Sequence, residues 1–291
     1  MTIRRLRLTA VVDNRAHRKG LFAEHGLAFF VEADDSRILF DTGQGNALCQ
    51  NARELGVPLD RLDAIMLSHG HYDHTGALAE VLERAPVAAI YLHPAAVEPK
   101  YARNASPPHR YIGIPAAGLR ALDVASSRIV WTQTQQTIAP GATITGEIPR
   151  RTTFEDTGGP FFQDAACETQ DSVPDDQALV LETVAGVVVL LGCAHSGVVN
   201  TLERVAEITN RREIHAIAGG MHLRSASEDR LRNTADALEA FGISTIAPSH
   251  CTGANALAFF GPRFGKRLRE CTVGWSLVFP LPADEGGQDA A

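Results

Sequence analysis

The residues best suited to chemistry lie together in one short segment, Ser68-His69-Gly70-His71-Tyr72-Asp73-His74-Thr75-Gly76. Three of the chain's 11 histidines and one aspartate fall within six consecutive positions there, directly after the apolar run 64–67. Imidazole nitrogen and carboxylate oxygen are ligands that suit Zn²⁺, Fe²⁺ and Mn²⁺. Because one short loop cannot wrap a single ion with all four side chains, we expect two neighbouring ions with further ligands from elsewhere in the chain.

The surrounding pattern predicts an α/β fold that positions this loop. Strand-like apolar segments occur at 27–32, 37–40, 64–67, 87–92, 178–191, 214–218 and 244–247. Helical spacing occurs at 47–55, 76–84, 198–209 and 227–241. Alternation of strands and helices is typical of α/β proteins. A loop that follows a strand can turn several side chains toward one point, as metal binding requires.

Residues 94–175 interrupt this alternation with prolines and with a stretch rich in glycine, aspartate and aromatic residues. We interpret much of this segment as an irregular lid insertion, a common location for substrate contacts. Tyr111 and Phe161-Phe162 within it could stack on a planar ring or pack the lid itself. We predict one domain over residues 1–282 that includes the lid, followed by a disordered tail over residues 283–291.

The composition excludes several classes of protein. With 291 residues, 45% hydrophobic and 21% charged, the chain is neither disordered, collagen-like nor a disulfide mini-protein. It has no apolar stretch of membrane-spanning length and no signal-peptide pattern, so no membrane partner is expected. A net charge of −7 with only three lysines disfavours nucleic acid as a partner. Five cysteines without repeated spacing fit reduced thiols in a cytoplasmic protein.

The order His-x-His-x-Asp-His at positions 69–74 resembles the signature of the metallo-β-lactamase superfamily. Further landmarks follow in the expected order: Ile38–Gly43, Leu191–Gly197, Ala218–Leu223 and Ala247–Cys251. The last three are similar to one branch of the superfamily, which contains dihydropterin–ribofuranosylaminobenzene phosphate synthases. The resemblance implies an αββα sandwich, in which two β-sheets lie face to face, helices cover the outside and metals bind at one edge.

The resemblance also implies a ligand set for each ion. His69 and His71 would bind the first ion, whereas Asp73, His74 and His250 would bind the second. The expected ions are two divalent metals, Zn²⁺ in the first place and Fe²⁺ or Mn²⁺ as alternatives.

The chain departs from the superfamily pattern at two ligand positions. Many relatives carry another histidine between the metal loop and the later motifs, and only His93 and His109 lie in that interval here. We therefore take His195 as the replacement ligand of the first ion, with a substrate-facing role as the alternative. Cys193 stands where many relatives carry a metal-bridging aspartate, and it is either a thiolate bridge or a buried inert thiol.

Other residues are predicted to act around the ions. Asp73 would orient the nucleophile as a base. His222 follows a Gly-Gly pair and would bind substrate or transfer a proton, with metal binding as the alternative. Asp41 would accept a hydrogen bond from a ligand imidazole. Arg150 and Arg151 would clamp an anionic group of the substrate or form a solvated surface pair.

These features together imply a dinuclear metal-dependent hydrolase of a small, anionic substrate, with a metal-activated hydroxide as the nucleophile. Three alternatives remain: a metal-dependent transferase of the synthase type, a phosphodiesterase or nuclease, and a metal-bound sensory or binding module without turnover. The sequence leaves the identity of the substrate and the oligomeric state open.

Overall fold

The computed structural model describes residues 1–279, so the end of the predicted domain at residue 282 and the predicted tail over 283–291 lie outside the described residues. The strands are β1 (Leu6–Val12), β2 (Ala28–Ala33), β3 (Ser36–Phe40), β4 (Ala64–Met66), β5 (Ala89–Leu92), β6 (Tyr101–Ala102), β7 (Arg110–Tyr111), β8 (Ile129–Trp131), β9 (Gln136–Ala139), β10 (Ala142–Ile144), β11 (Phe161–Phe162), β12 (Ala178–Thr183), β13 (Gly186–Leu191), β14 (Ile214–Gly220), β15 (Thr245–Ser249) and β16 (Ser276–Phe279). The helices are α1 (Leu48–Leu55), α2 (Tyr72–Thr75), α3 (Leu78–Arg84), α4 (Ala116–Val124), α5 (Val198–Thr209), α6 (Glu228–Ala240) and α7 (Ala254–Phe264).

Two large mixed sheets form the centre of the fold. The first has seven strands in the order β16-β1-β2-β3-β4-β5-β8, and the second has six in the order β15-β14-β13-β12-β10-β9. Strands β3, β4, β5 and β8 run parallel to one another, as do β13, β14 and β15. The carboxyl ends of parallel strands meet at one edge of a sheet, so the loops that follow them can share a site.

Strand β13 illustrates how the layers pack. Val188 and Leu190 face the apolar core between the two sheets, whereas Val187, Val189 and Leu191 face a second core under the helices. Successive side chains of a strand point to opposite faces, so a strand covered on both sides is apolar throughout. A third core lies outside the first sheet and includes Leu78 and Val81 of α3. The αββα sandwich is therefore confirmed.

The segment 94–175 is more regular than the sequence indicates. Strand β8 joins the first sheet, and β9 and β10 join the second. The irregular part is a small three-stranded sheet in the order β11-β6-β7 with the loops around it. We keep the name lid for these residues, 101–114 and 146–175.

Within residues 1–279, no helix combines the length and the apolar character needed to cross a membrane.

Candidate metal centre

The ends of parallel strands bring the predicted site residues to one place. The metal loop follows β4 of the first sheet, and α2 begins within it at Tyr72. On the second sheet, Cys193 and His195 follow β13, His222 follows β14, and His250 follows β15. Each of these strands ends at the same edge, so one loop from the first sheet faces three loops from the second.

The backbone at these strand ends is unusual. Asp41, Ala194, His222 and His250 have φ angles of 60°, 55°, 46° and 50°. Residues other than glycine seldom adopt positive φ, and such residues cluster at functional sites because surrounding contacts hold them there. The conformation turns the side chains of His222 and His250 away from the direction a continuing strand would give them.

His69, His71 and His195 form the first group of side chains. One ring nitrogen from each lies within 4.8 Å of the others, and His69 Nε2 is 2.9 Å from His71 Nδ1. The Nε2 atom of His195 is buried and has no hydrogen-bond partner within the described residues. Buried nitrogens without partners are costly unless something binds them. This donor set therefore fits a divalent cation, and the role of the three histidines as ligands of the first ion stays a prediction.

The opposite sides of these rings are fixed by the protein. Ser68 Oγ lies 2.9 Å from His69 Nδ1 and donates a hydrogen bond to Asp41 Oδ2 at 2.7 Å. His195 Nδ1 lies 2.7 Å from the carbonyl oxygen of Thr157 in the lid. Partners of this kind orient the ring and fix which nitrogen carries the proton.

The second group contains the predicted ligands Asp73, His74 and His250, with His25 as an addition. Asp73 Oδ2 lies 3.4 Å from His250 Nε2, 4.0 Å from His74 Nε2 and 3.1 Å from His25 Nε2. Asp41 Oδ2 lies 2.7 Å from His74 Nδ1, and Asn14 Oδ1 lies 2.8 Å from His250 Nδ1. The structure brings the three predicted side chains together, and their role as ligands stays a prediction.

Burial and neighbouring charges set the protonation of both groups. Burial lowers the pKa of His69 and His195 well below the ordinary value and lowers that of His71 to about 3, which leaves these imidazoles neutral. Burial opposes ionisation of Asp73, but hydrogen bonds from His25 and His250 hold its pKa well below the ordinary value. A neutral imidazole and an ionised carboxylate are the forms that bind metal ions, so these three imidazoles and Asp73 are in such forms. His74 differs, because burial opposes its protonation but the Asp41 carboxylate outweighs burial and raises the pKa to about 9.

Cys193 and His222 lie beside the two groups. Cys193 Sγ is 3.2 Å from His74 Nε2, and the rings of His195 and His222 have centroids 4.6 Å apart. The Nδ1 atom of His222 is buried without a partner in the part of the chain described. Burial opposes protonation of His222, but the neighbouring Cys251 sulfur, as a thiolate, outweighs burial and raises the pKa of His222. His222 is therefore well placed to hold a proton.

Two buried carboxylates support the metal loop from outside. Asp41 Oδ1 accepts the backbone N–H of Ser68 at 2.7 Å, and Asp175 Oδ2 accepts that of Gly70 at 2.7 Å. Asp175 and Asp171 both accept hydrogen bonds from the fully buried Lys100 ammonium, at 2.8 and 3.0 Å. Burial opposes ionisation of Asp175, but the Lys100 charge lowers its pKa. This buried network connects the lid to the backbone between His69 and His71.

A cavity of about 240 Å³ opens onto both groups. Its lining includes His71, Asp73, His222, Phe161, Arg110 and Arg224. No side chain within residues 1–279 forms an ion pair with either arginine. The guanidinium of Arg110 lies 5.5 Å from the ring centre of Tyr72. Two free cationic groups therefore border the space above the histidines.

The structure does not place every predicted residue at this cavity. Arg150 donates a hydrogen bond to the carbonyl oxygen of His195 at 2.8 Å, so it braces the backbone of that loop. Arg151 forms a surface ion pair with Glu207. The Tyr111 hydroxyl donates a hydrogen bond to the carbonyl oxygen of Ile114 at 3.0 Å, and the side chain packs within the lid. Of the two alternatives given for this pair, the geometry therefore does not support the clamp, because both side chains are engaged elsewhere and Arg151 lies in a surface ion pair.

Neither the two arginines of the cavity nor His25 was predicted from the sequence as a site residue. Arg110 lies in an irregular segment and Arg224 is one of 24 arginines whose pattern carries no motif. His25 had a usable signal, since it is a histidine in a turn that leads into the buried strand β2. Long-range contacts such as that between Lys100 and Asp175 leave no local pattern.

Comparisons with known proteins agree with this geometry. The family model of the metallo-beta-lactamase superfamily matches residues 22–250. A 7,8-dihydropterin-6-methyl-4-(beta-D-ribofuranosyl)-aminobenzene-5'-phosphate synthase from Methanocaldococcus jannaschii is 27% identical over 93% of this chain and 95% of its own length. The uncharacterized protein MJ0448 of the same organism is 32% identical over 85% of this chain and 91% of its own length.

A solved structure resembles the chain over nearly its whole length. Tm1679, described as a metal-dependent hydrolase of the beta-lactamase superfamily, has a TM-score of 0.78 and 30% identity, covering 94% of this chain and 98% of its own. The expectation of an enzyme is confirmed by these relatives and by the family match. Because the matched region contains both groups of side chains and the strands that carry them, the chain belongs to the metallo-beta-lactamase superfamily.

Proposed function

We propose that this enzyme is a dinuclear metal-dependent hydrolase of a small anionic substrate. The observation that carries the proposal is the convergence of His69, His71 and His195 beside Asp73, His74 and His250. Members of both groups line one cavity. The first three residues would hold one ion and the second three the other. When bound, such a pair supplies Lewis acidity and lowers the pKa of a water molecule from about 16 to near 7.

The protein's own groups would orient the reactants and move the proton. Asp73 is ionised between His25 and His250, so it can hold the nucleophile by accepting a hydrogen bond. His222 borders the same cavity and its pKa is raised, so it can give a proton to the leaving group. Phe161 lies over His71 and His195, with ring centroids 5.0 and 5.2 Å away, and limits the access of water.

The charges around the cavity support an anionic substrate. Arg110 and Arg224 border it without acidic partners in the described residues, and Asp73 is the only carboxylate in its lining. Guanidinium groups bind phosphate and carboxylate oxygens with two parallel hydrogen bonds. The volume of about 240 Å³ suits the reacting part of a small molecule better than a polymer.

Metal analysis and a panel of probes test the hydrolase proposal. We expect two divalent ions per chain and cleavage of bis(p-nitrophenyl) phosphate or of a carboxylate-bearing ester. Chelation should abolish the activity, and Zn²⁺, Mn²⁺ or Fe²⁺ should restore it. A protein that holds two ions and cleaves none of the anionic probes would contradict the assignment as a hydrolase.

A transfer reaction is the second candidate, and the synthase relative is the observation that favours it. The same centre could join a dihydropterin-methyl group to a ribofuranosylaminobenzene phosphate, because both reactions need Lewis acids beside an anionic oxygen. Incubation of the metal-loaded protein with the diphosphate ester of hydroxymethyl-dihydropterin and the aminobenzene phosphate, followed by mass spectrometry, separates the two candidates. The coupled product identifies a transferase, and the free hydroxymethyl-dihydropterin identifies a hydrolase.

A further inference from the structure

We propose that a second cavity, beside the metal centre, is a subsite that binds a phosphate group of the substrate away from the bond that reacts. The inference rests on the proposed function, because the metal centre would hold the reacting group. It narrows the substrate class to small molecules that carry a phosphate in addition to the group that reacts.

The second cavity has a volume of about 410 Å³. Its walls are the residues that follow β1, the end of β15, the start of α7, and Arg224 after β14. Arg224 and His250 also line the cavity above the histidines, so the two spaces lie on either side of these side chains. A substrate bound at the metal ions can therefore extend past Arg224 and His250 into the second space.

The charge of the second cavity favours an anion. Its lining within residues 1–279 contains two arginines and no carboxylate. The guanidinium of Arg15 is occupied, since its Nη1 lies 3.3 Å from Oε1 of Glu270. Arg224 is exposed and forms no ion pair in the described part of the chain. One positive charge at the rim of this cavity is therefore not neutralised by the protein.

Helix α7 begins in the wall of the second cavity and supplies further donors. Gly253 precedes the helix, and no side chain caps its N-terminus. The first hydrogen bond of the helix runs from Leu257 N to Gly253 O, at 3.3 Å. The N–H groups of residues 254–256 therefore have no acceptor within the helix. Such groups, together with the helix dipole, attract anions.

Helix α5 shows how the same chain treats another helix start. The carboxylate of Glu155, from the lid, accepts the backbone N–H groups of Val199 and Asn200 at 2.8 and 3.0 Å. The protein therefore provides its own anion at the N-terminus of α5. No carboxylate within residues 1–279 caps α7, whose N-terminus borders a cavity instead.

A buried hydroxyl group in the same wall points independently to a ligand. Ser249 is 3% exposed, and its Oγ is buried without a hydrogen-bond partner among residues 1–279. Neighbouring polar groups are satisfied: His250 N donates to Asp13 Oδ1, and Thr252 Oγ1 donates to Ser249 O, both at 2.8 Å. Because buried polar atoms without partners are rare in native proteins, we assign the Ser249 hydroxyl as a donor to the bound anion.

Close packing fixes the arginine beside the start of the helix. A side chain on Gly253, whose φ is 84°, would lie 2.6 Å from Arg224 Cα and 2.8 Å from Arg224 Cβ. The loops after β14 and β15 are therefore in contact at this point. A guanidinium group, several N–H groups and a hydroxyl group can together serve three oxygen atoms. A phosphate monoester has three terminal oxygens, whereas a carboxylate has two, so the donors favour phosphate.

Binding of uncleavable probes tests the subsite without requiring turnover. We would titrate the metal-loaded protein calorimetrically with α,ω-alkane bisphosphonates of increasing length and with alkyl monophosphonates of the same lengths. At the length that spans both cavities, the bisphosphonate should bind at least about tenfold more tightly than the monophosphonate, because it makes additional charge-assisted hydrogen bonds.

Two matched variants locate the second phosphonate group. Asn255→Asp places a carboxylate at the second residue of α7, where it favours the helix but repels an anion, so the bisphosphonate should lose its advantage. Ala117→Asp makes the same change at the second, exposed residue of α4 and should keep the advantage. Ser249→Ala should reduce the advantage by about threefold, the effect of one hydrogen bond.

The remaining outcomes separate this inference from the proposed function. Equal affinity for the two kinds of probe at every length, or an advantage that survives in Asn255→Asp, would overturn the subsite and leave the hydrolase proposal intact. An advantage in a protein that holds two ions but cleaves no anionic probe would support the subsite and contradict the hydrolase. If the protein holds no ions, the proposed function fails, and inorganic phosphate alone then tests the subsite: equal affinity for wild type and Asn255→Asp would overturn it.

Discussion

The two sheets contribute to the metal centre in different ways. The first sheet supplies four predicted ligands from a single loop, residues 69–74, held from below by the carboxylates of Asp41 and Asp175. The second sheet supplies one histidine from each of three successive strand ends, His195, His222 and His250. The residues of the loop are therefore neighbours in the sequence, whereas the three histidines of the second sheet are far apart in the sequence. The parallel order of the strands brings these three histidines together.

This difference predicts which substitutions do most harm. The predicted ligands of the loop lie on one short backbone segment. Replacing one of them should therefore remove a ligand atom and leave the other loop residues in position. Each histidine of the second sheet depends on its own strand end and on a backbone with positive φ at His222 and His250. Replacing a loop residue should therefore affect metal binding first, whereas at the end of β14, where His222 is not a predicted ligand, replacement should affect turnover rather than metal content.

Replacement of His71 by alanine should have the largest effect. The variant loses a predicted ligand of the first ion, so we expect metal content to fall and activity to drop by at least about 10³-fold, because several kcal/mol of Lewis-acid stabilisation disappear. The fold should persist, since the ring is not part of an apolar core. Metal content, circular dichroism and turnover measure these effects. His17→Ala, an exposed histidine paired with Glu270, is the control, and full metal content in His71→Ala would refute the assignment.

The difference between local and long-range signals also explains how much of the fold could be predicted from the sequence. The helix predicted at 198–209 matches α5, because its apolar residues have clear helical spacing. The segment 178–191 was expected to be one strand, but it forms β12 and β13 with a turn around Val184. Both strands are buried on both faces, so their apolar sequence continues to the turn without an alternating pattern. Helix α7 escaped prediction because Gly261 and Pro262 disrupt its spacing.

For the site, sequence reasoning succeeded where the signal was local. The loop 69–74 contains so many possible ligands that the sequence alone indicates a metal site, whereas contacts between distant residues leave no pattern in the sequence. Lys100 pairs with Asp171 and Asp175, which follow it by more than 70 positions. For Arg150 the sequence left substrate binding and a surface position as alternatives, and its guanidinium instead donates a hydrogen bond to the carbonyl oxygen of His195. Side-chain direction of this kind depends on the final packing.

His222→Ala tests the role of the second sheet. His222 borders the cavity and its raised pKa suits proton transfer, so the variant should keep its metal and lose about 10²- to 10⁴-fold in turnover. Steady-state kinetics and metal content measure the two effects separately. His215→Ala is a matched control, because His215 lies at the opposite end of β14 and packs on Phe279. Loss of an ion from His222→Ala would make His222 a ligand.

Asp175→Asn and Asp171→Asn form a matched pair that tests support of the loop. Both remove a buried ion pair with Lys100, so both should lower the unfolding temperature. Only Asp175 also accepts the Gly70 N–H, so only Asp175→Asn should weaken metal binding, by about 10- to 100-fold. Competition with a chromogenic chelator measures the affinity. Equal metal affinity in the two variants would show that the network stabilises the fold without positioning the loop.

The smallest effect is expected at the rim of the cavity. Arg224, which follows β14, can bind an anionic group of the substrate but does not contact the predicted ligands of the first ion. Arg224→Gln should therefore raise KM about tenfold for an anionic probe and leave kcat and metal content unchanged, because a charge-assisted hydrogen bond at an exposed position is modest. A neutral ester probe should show no change. Arg151→Gln is the control, since Arg151 pairs with Glu207 outside the cavity. Equal effects on neutral and anionic probes would mean that Arg224 shapes the cavity rather than recognising charge, and the substrate would then be selected at the metal ions alone.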